Sequence, residues 1–192
     1  MRAGFADPVF ESQRVFRGVL DAMAEPGRVI TLQAPPAAPG LLHSATIAIA
    51  LALLDFETPV WLDGAAETAE TVAHLRFHCG CPIVDEPARA RFAIIANPGE
   101  MPELGAFDAG TDEYPDRSAT LIVQVGSLIA GSGLRLSGPG IATEARLQVN
   151  GLPSPFWEAM RDNHARFPRG VDVLLTAGPS LVALPRTTWV DG

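Results

Sequence analysis

A chain of 192 residues with 47% apolar and 19% charged residues has the composition of one globular domain and fits neither a disordered nor a fibrous protein. Its net charge of −8 argues against a nucleic-acid binder, which needs a basic surface to neutralise phosphates, but leaves room for a local cluster that holds a small anion. All 14 basic residues are Arg; without Lys there is no Schiff-base lysine for pyridoxal phosphate and no Walker A lysine.

In chain order, Met1 to Asp7 has no apolar signal-like region, and the densest apolar run, residues 45–54, is far shorter than the ~20 residues a membrane span needs. A cytoplasmic protein is the expectation. Asp7-Pro8 predicts a helix start, with a capping side chain before Pro at the first helical position. Phe16, Val19, Leu20 and Met23 recur at helical spacing until Pro26-Gly27 stops the pattern. Residues 28–33 alternate like a strand, and three prolines in 34–40 mark a loop. Residues 44–55 read as a second helix, apolar nearly all round and so buried.

A short strand at 59–62 and an amphipathic helix at 65–77 follow, then strands at 82–84 and 91–96. Residues 97–117, rich in Pro, Gly and acids, predict a long loop with one helical turn. The clearest central strand is 120–125. Residues 126–133 read as a glycine-rich turn between strands; a Walker loop would need Lys where Ser132 stands. Residues 134–136 and 145–149 bracket Ser137-Gly138-Pro139-Gly140 as a possible antiparallel pair, and Ser154-Pro155 starts a last helix to about Arg166. Two β-like runs, 171–177 and 180–184, surround a Gly178-Pro179 turn. Helices alternate with strands early and antiparallel features gather late, which predicts an α/β domain with a mixed sheet.

The last hairpin, if it pairs, brings Arg169 and Arg186 together beside Asp172, Thr187 and Thr188. Arg suits bidentate recognition of phosphate-like groups and Thr adds hydroxyls, so the corner reads either as an anion site or as internal ion-paired struts. Glu25 stands at a helix C-terminus, where a carboxylate is electrostatically disfavoured. Arg17 and Arg76 read more simply as solvated or ion-paired side chains. His74 and His78, four apart on one helix face, precede Cys79 and Cys81, a set that suits zinc by ligand type, although Cys-Gly-Cys is tighter than the usual spacing. A structural disulfide between such near neighbours would be strained.

Several segments together carry a family resemblance. They are Phe16-Arg17, Met23-Ala24-Glu25-Pro26-Gly27, Thr58-Pro59-Val60-Trp61, Leu75-Arg76-Phe77-His78, Gly110-Thr111, Ala119-Thr120-Leu121-Ile122, Leu136-Ser137-Gly138-Pro139-Gly140-Ile141, Phe167-Pro168-Arg169-Gly170-Val171-Asp172 and Pro185-Arg186-Thr187-Thr188. In order and spacing they resemble the PhnH family, the H subunit of the carbon–phosphorus lyase core complex, over nearly the whole chain. The resemblance implies one domain over 1–192, a three-layer α/β/α sandwich like the large domain of pyridoxal-phosphate transferases but without the cofactor site. It implies a non-catalytic or substrate-organising subunit in phosphonate catabolism, where ATP and an alkylphosphonate give ribose 1-phosphonate 5-triphosphate. The implied partners are the G, I and J subunits, with a homodimer when isolated, and no cofactor. Arg76, His78, Arg169, Asp172 and Arg186 lie inside matched motifs; His74 and the Cys-Gly-Cys segment do not belong to them. The alternatives are an independent transferase on phosphorylated nucleosides or a metal hydrolase using His74, His78, Cys79 and Cys81.

Overall fold

The computed structural model describes residues 3–191. Helix α1, Pro8–Ala24, is capped as expected, the Asp7 side chain accepting from the Phe10 N–H at 3.3 Å. Its buried face differs from the expected stripe: Val15, Gly18, Val19 and Ala22 turn inward, whereas Phe16 and Leu20 stay exposed. The reason is close approach. At Gly18 an added Cβ would lie 3.1 Å from Leu32 Cδ2, so the helix sits with its smallest residue against the neighbouring segment.

Strand β1 is only Ile30–Thr31, much shorter than the alternation suggested. Helix α2, Ser44–Leu53, is the buried helix expected, with Ala45 through Ala50 all out of solvent. After β2, Val60–Leu62, helix α3 runs Ala69–His78 and starts later than predicted. Asp63 explains the delay: its Oδ1 accepts from the Ala66 N–H at 2.7 Å and holds a turn, and the Thr68 hydroxyl caps α3 through the Thr71 N–H. The strand expected at 82–84 is reduced to an isolated bridge between Ile83 and Val60.

Strands β3, Phe92–Ile95, and β4, Thr120–Gln124, flank a long loop with 3-10 turns at Pro98–Glu100, Leu104–Ala106 and Pro115–Arg117 rather than one. Then come β5, Ser127–Ser137, β6, Ala145–Asn150, α4, Phe156–Ala165, β7, Asp172–Ala177, β8, Ser180–Leu184, and β9, Trp189–Asp191. The main sheet is mixed, ordered β1-β8-β7-β4-β3-β2; β2, β3, β4 and β7 are parallel, and β8 runs antiparallel to both of its neighbours, β7 and β1.

Alternate residues of each central strand serve opposite faces, as the period of two requires. Ile94, Ile122, Leu174 and Ala183 join α1, α2 and α3 in one core. Ala93, Ile95, Leu121, Val123, Val173 and Leu175 join Phe156 and Met160 of α4 in the other. That second layer also contains a small antiparallel sheet, β6-β5-β9, which contributes Leu136, Leu147 and Val190 to the core.

This small sheet corrects the reading of residues 126–133. Apart from Gly126, they belong to β5 and form no turn between strands. The register shifts so that Ala130 and Leu134 both oppose Leu147, a bulge with Gly131 and Gly133 at positive φ. A side chain at Gly133 would come within 2.5 Å of the Leu147 carbonyl oxygen. No helix follows this segment, so it has no phosphate-loop geometry.

Candidate functional site

The β7–β8 hairpin forms as expected, with Val173 opposite Leu184 and Ala177 opposite Ser180. Asp172 and the segment Pro185-Arg186 therefore emerge at the same end of the sheet. Arg186 is folded inward there. Its Nε donates to Asp172 Oδ1 at 3.1 Å and its Nη2 to Asp172 Oδ2 at 2.6 Å, a two-pronged pair. Nη2 also donates to the Ser118 hydroxyl, while Nη1 donates to the Pro115 carbonyl at 2.6 Å and the Pro168 carbonyl at 3.4 Å. The Arg186 backbone N–H returns to Asp172 Oδ1 at 2.8 Å.

A guanidinium has five N–H donors, and all five are engaged within the fold. The side chains of Arg186 and Asp172 are only 12% and 15% exposed. The shallow depression beside them, about 340 Å³, is lined by Met23, Phe167, Pro168 and Pro185 together with Asp116 and Asp172. An incoming anion would meet carboxylates there and no spare Arg186 donor. Arg186 thus ties the loop before β4 and the loop before β7 to the end of β8.

Arg169 is different. It lies on the surface, its Nε 3.2 Å from Asp112 Oδ1, with the two side chains 45% and 80% exposed. Thr187 is half-buried at the rim of the depression, and Thr188 is buried, with its N–H donating to the Pro185 carbonyl at 2.8 Å. The other candidates lie elsewhere. Arg17 lines a cleft of about 480 Å³ between α1 and residues 30–35. Glu25 pairs with Arg28 at 2.5 Å on the surface. Arg76 is exposed near the end of α3, and the His78 ring meets His74 at a tilt and Phe77 edge to face.

The motifs that looked like ligand loops are meeting points of the chain. At Gly140, φ is +84 and a Cβ would run into the Ala24 carbonyl oxygen at the end of α1. At Gly138 a Cβ would lie 2.6 Å from the Thr187 carbonyl oxygen. Glu25-Pro26-Gly27, Gly138-Pro139-Gly140 and Pro185-Arg186-Thr187-Thr188 therefore pack into one junction, with the Gly27 N–H donating to the Ala183 carbonyl at 3.4 Å. Buried polar residues that no motif announced complete the arrangement. Asn163 exchanges two hydrogen bonds with the Val171 backbone, and Asp63 links β2 to the Asn97 N–H beyond β3. The only local signal for Asp63 is an acid between a strand and Gly64.

The proposed zinc set does not assemble. Among the described residues no group of three or more His, Cys, Asp or Glu is placed to hold a metal. His74 is buried, Cys79 Sγ turns toward the Ala50 carbonyl of α2 at 3.8 Å, and Cys81 lies in the core, so the four side chains do not share a centre.

Fold and site together define an α/β protein whose conspicuous arginine corner is a joint between loops. A family model described as bacterial phosphonate metabolism protein (PhnH) matches residues 3–191, and the chain belongs to that family. It is 42% identical over 187 residues to alpha-D-ribose 1-methylphosphonate 5-triphosphate synthase subunit PhnH of Rhizobium meliloti (strain 1021), covering 97% of this chain and 94% of that protein. It is 30% identical over 183 residues to the putative C-P lyase subunit protein HtxG of Stutzerimonas stutzeri, covering 93% and 85%.

Proposed function

We propose that this chain is a subunit of a carbon–phosphorus lyase system, supporting the synthesis of ribose 1-phosphonate 5-triphosphate from ATP and an alkylphosphonate without carrying the reacting centre itself. The observation that carries this reading is the end-to-end match to the Rhizobium meliloti synthase subunit. The internal use of Arg186 supports the second half of it, since the strongest candidate for a phosphate ligand has no donor to offer.

The finer reading is a cytoplasmic, single-domain protein over 1–192, related in fold to the large domain of pyridoxal-phosphate transferases. It is a homodimer alone and joins G, I and J subunits in the complex, with assembly through apolar surface. Exposed apolar side chains support that role: Val9, Phe16 and Leu20 line one side of α1, and Phe167 stands exposed at the corner. Arg169 remains the arginine of the corner with access to a ligand or a partner carboxylate.

Co-expression of the tagged chain with untagged G, I and J subunits tests this. Stoichiometric co-purification is expected, and a Phe16→Asp/Leu20→Asp variant that folds normally should lose it. If the wild-type chain is recovered without any of the three, the proposed role is wrong.

A further inference from the structure

The two edges of the main sheet are finished differently. At β2 the segment 82–84 runs alongside: the Val60 N–H donates to the Pro82 carbonyl at 2.8 Å and the Val84 N–H to the Val60 carbonyl at 2.9 Å, which closes that edge. At the other end β1 pairs with β8 alone. Ile30 stands opposite Leu181, and the Leu32 N–H donates to the Pro179 carbonyl at 2.9 Å. Alternation along the strand therefore points the backbone groups of Thr31, and of Gln33 beyond it, away from β8. Both residues are exposed, and Gln33 makes no backbone hydrogen bond among the described residues. Between Arg28 and Pro35 this edge has no Pro and no charge, the usual devices that keep another strand away.

Helix α1 roofs this open edge. The Ile30 and Leu32 side chains rise toward it, since a Cβ at Gly18 would lie 3.6 Å from Ile30 Cγ2 and 3.1 Å from Leu32 Cδ2. One flank of α1 and residues 30–35 enclose the cleft of about 480 Å³, and Glu11, Arg14, Arg17 and Asp21 line its helical wall. Glu11 is already engaged, accepting from the Ala6 N–H at 3.0 Å and lying 3.8 Å from Arg14. Arg17 and Asp21, one turn apart and both exposed, are in no ion pair among the described residues. Along the helix they are about 6 Å apart, close to the ~6.8 Å between alternate residues of a strand, which share a face.

We propose that this cleft docks an extended segment of a partner protein, which joins the main sheet as a strand beyond β1 and carries an acid and a base two residues apart facing α1. Thr31 and Gln33 supply N–H and carbonyl groups for the pairing, while Arg17 takes the carboxylate and Asp21 the cation. The backbone bonds give affinity, and the two charges set direction and register. Pairing stops where Ala34, at φ +46, and then Pro35 end the extended backbone. Phe16 and Leu20 do not line this cleft, so the proposal rests neither on the lyase assignment nor on the apolar assembly surface.

The test uses the isotope-labelled full chain and a synthetic probe, acetyl-Thr-Val-Glu-Thr-Arg-Val-Thr-amide, in which Glu and Arg share a strand face. At millimolar peptide the amide signals of Thr31 and Gln33 should shift and their hydrogen exchange should slow. Two further peptides carry N-methyl groups on alternate residues, one on Glu and Arg, the other on the central Thr and both Val. A strand aims only one of these sets of N–H groups at β1, so one peptide should lose binding about tenfold and the other keep it. Arg17→Ala and Asp21→Asn, each checked for native circular dichroism, should weaken binding of the unmethylated probe about threefold to fivefold. If the Thr31 and Gln33 signals stay still, if both methylated peptides bind alike, or if neither variant weakens binding, the proposal is overturned. It is also overturned if inorganic triphosphate moves the same signals and displaces the peptide, which would make the cleft a site for small anions.

Discussion

Arg169 and Arg186 flank the same hairpin, yet they use their charge in opposite ways. Arg186 places every N–H on a carboxylate, a carbonyl or a hydroxyl of its own chain. Arg169 makes a surface pair with Asp112, itself largely in water. The contrast shows how little an arginine in a motif says about ligands until its acceptors are counted. Three loops of different origin end near Arg186, and the carbonyls of Pro115 and Pro168 would otherwise face a poorly solvated corner. Their need for donors outweighs a vacancy for phosphate.

The comparison gives an order of effects. Arg186→Ala leaves the Asp172 carboxylate without its guanidinium partner and two carbonyls without a donor. It should cost about 3–5 kcal/mol of stability, measured by urea denaturation. Gly140→Ala should come next, at roughly 2–3 kcal/mol, because the φ of +84 and the Ala24 carbonyl both oppose a Cβ. The same substitution at exposed Gly131, where nothing lies near a Cβ, should cost only the backbone part. Arg169→Ala should change stability by about 0.5 kcal/mol or less, since exposed pairs contribute little. If it abolishes phosphonate-dependent growth in a complementation assay while the protein remains folded, Arg169 meets a ligand or a partner.

Much of the fold was readable because it rests on local chemistry. Asp7-Pro8 capped α1, the run at 45–54 gave a helix buried on all sides, and Gly178-Pro179 closed a hairpin. The failures share a cause: long-range contact overrode local pattern. Phe16 and Leu20 looked like core, but Gly18 decided which face of α1 could approach its neighbours. Glycines at 131 and 133 looked like a turn, whereas β6 draws the segment into a bulged strand. Trp189–Asp191 became a strand only because β5 offers an edge to pair with.

The corner was half readable. Its position followed from the hairpin, and the choice between anion site and strut could not, since Ser118, Pro115 and Pro168 arrive from distant parts of the chain. The zinc reading failed for a related reason. Helical spacing aligned His74 and His78, while the turn at Gly80 and the packing of Cys79 against α2 gave the thiols other surroundings.

The most direct test of the central claim, that Arg186 is a structural strut, is a double-mutant cycle on the purified chain with Arg186→Met and Asp172→Leu, followed by urea denaturation. A strut predicts that the double variant is more stable than the sum of the single losses allows, with a coupling of about 1.5 kcal/mol or more. Additivity within about 0.5 kcal/mol, with both single variants near wild-type stability, would contradict it and return Arg186 to the list of ligand-binding residues.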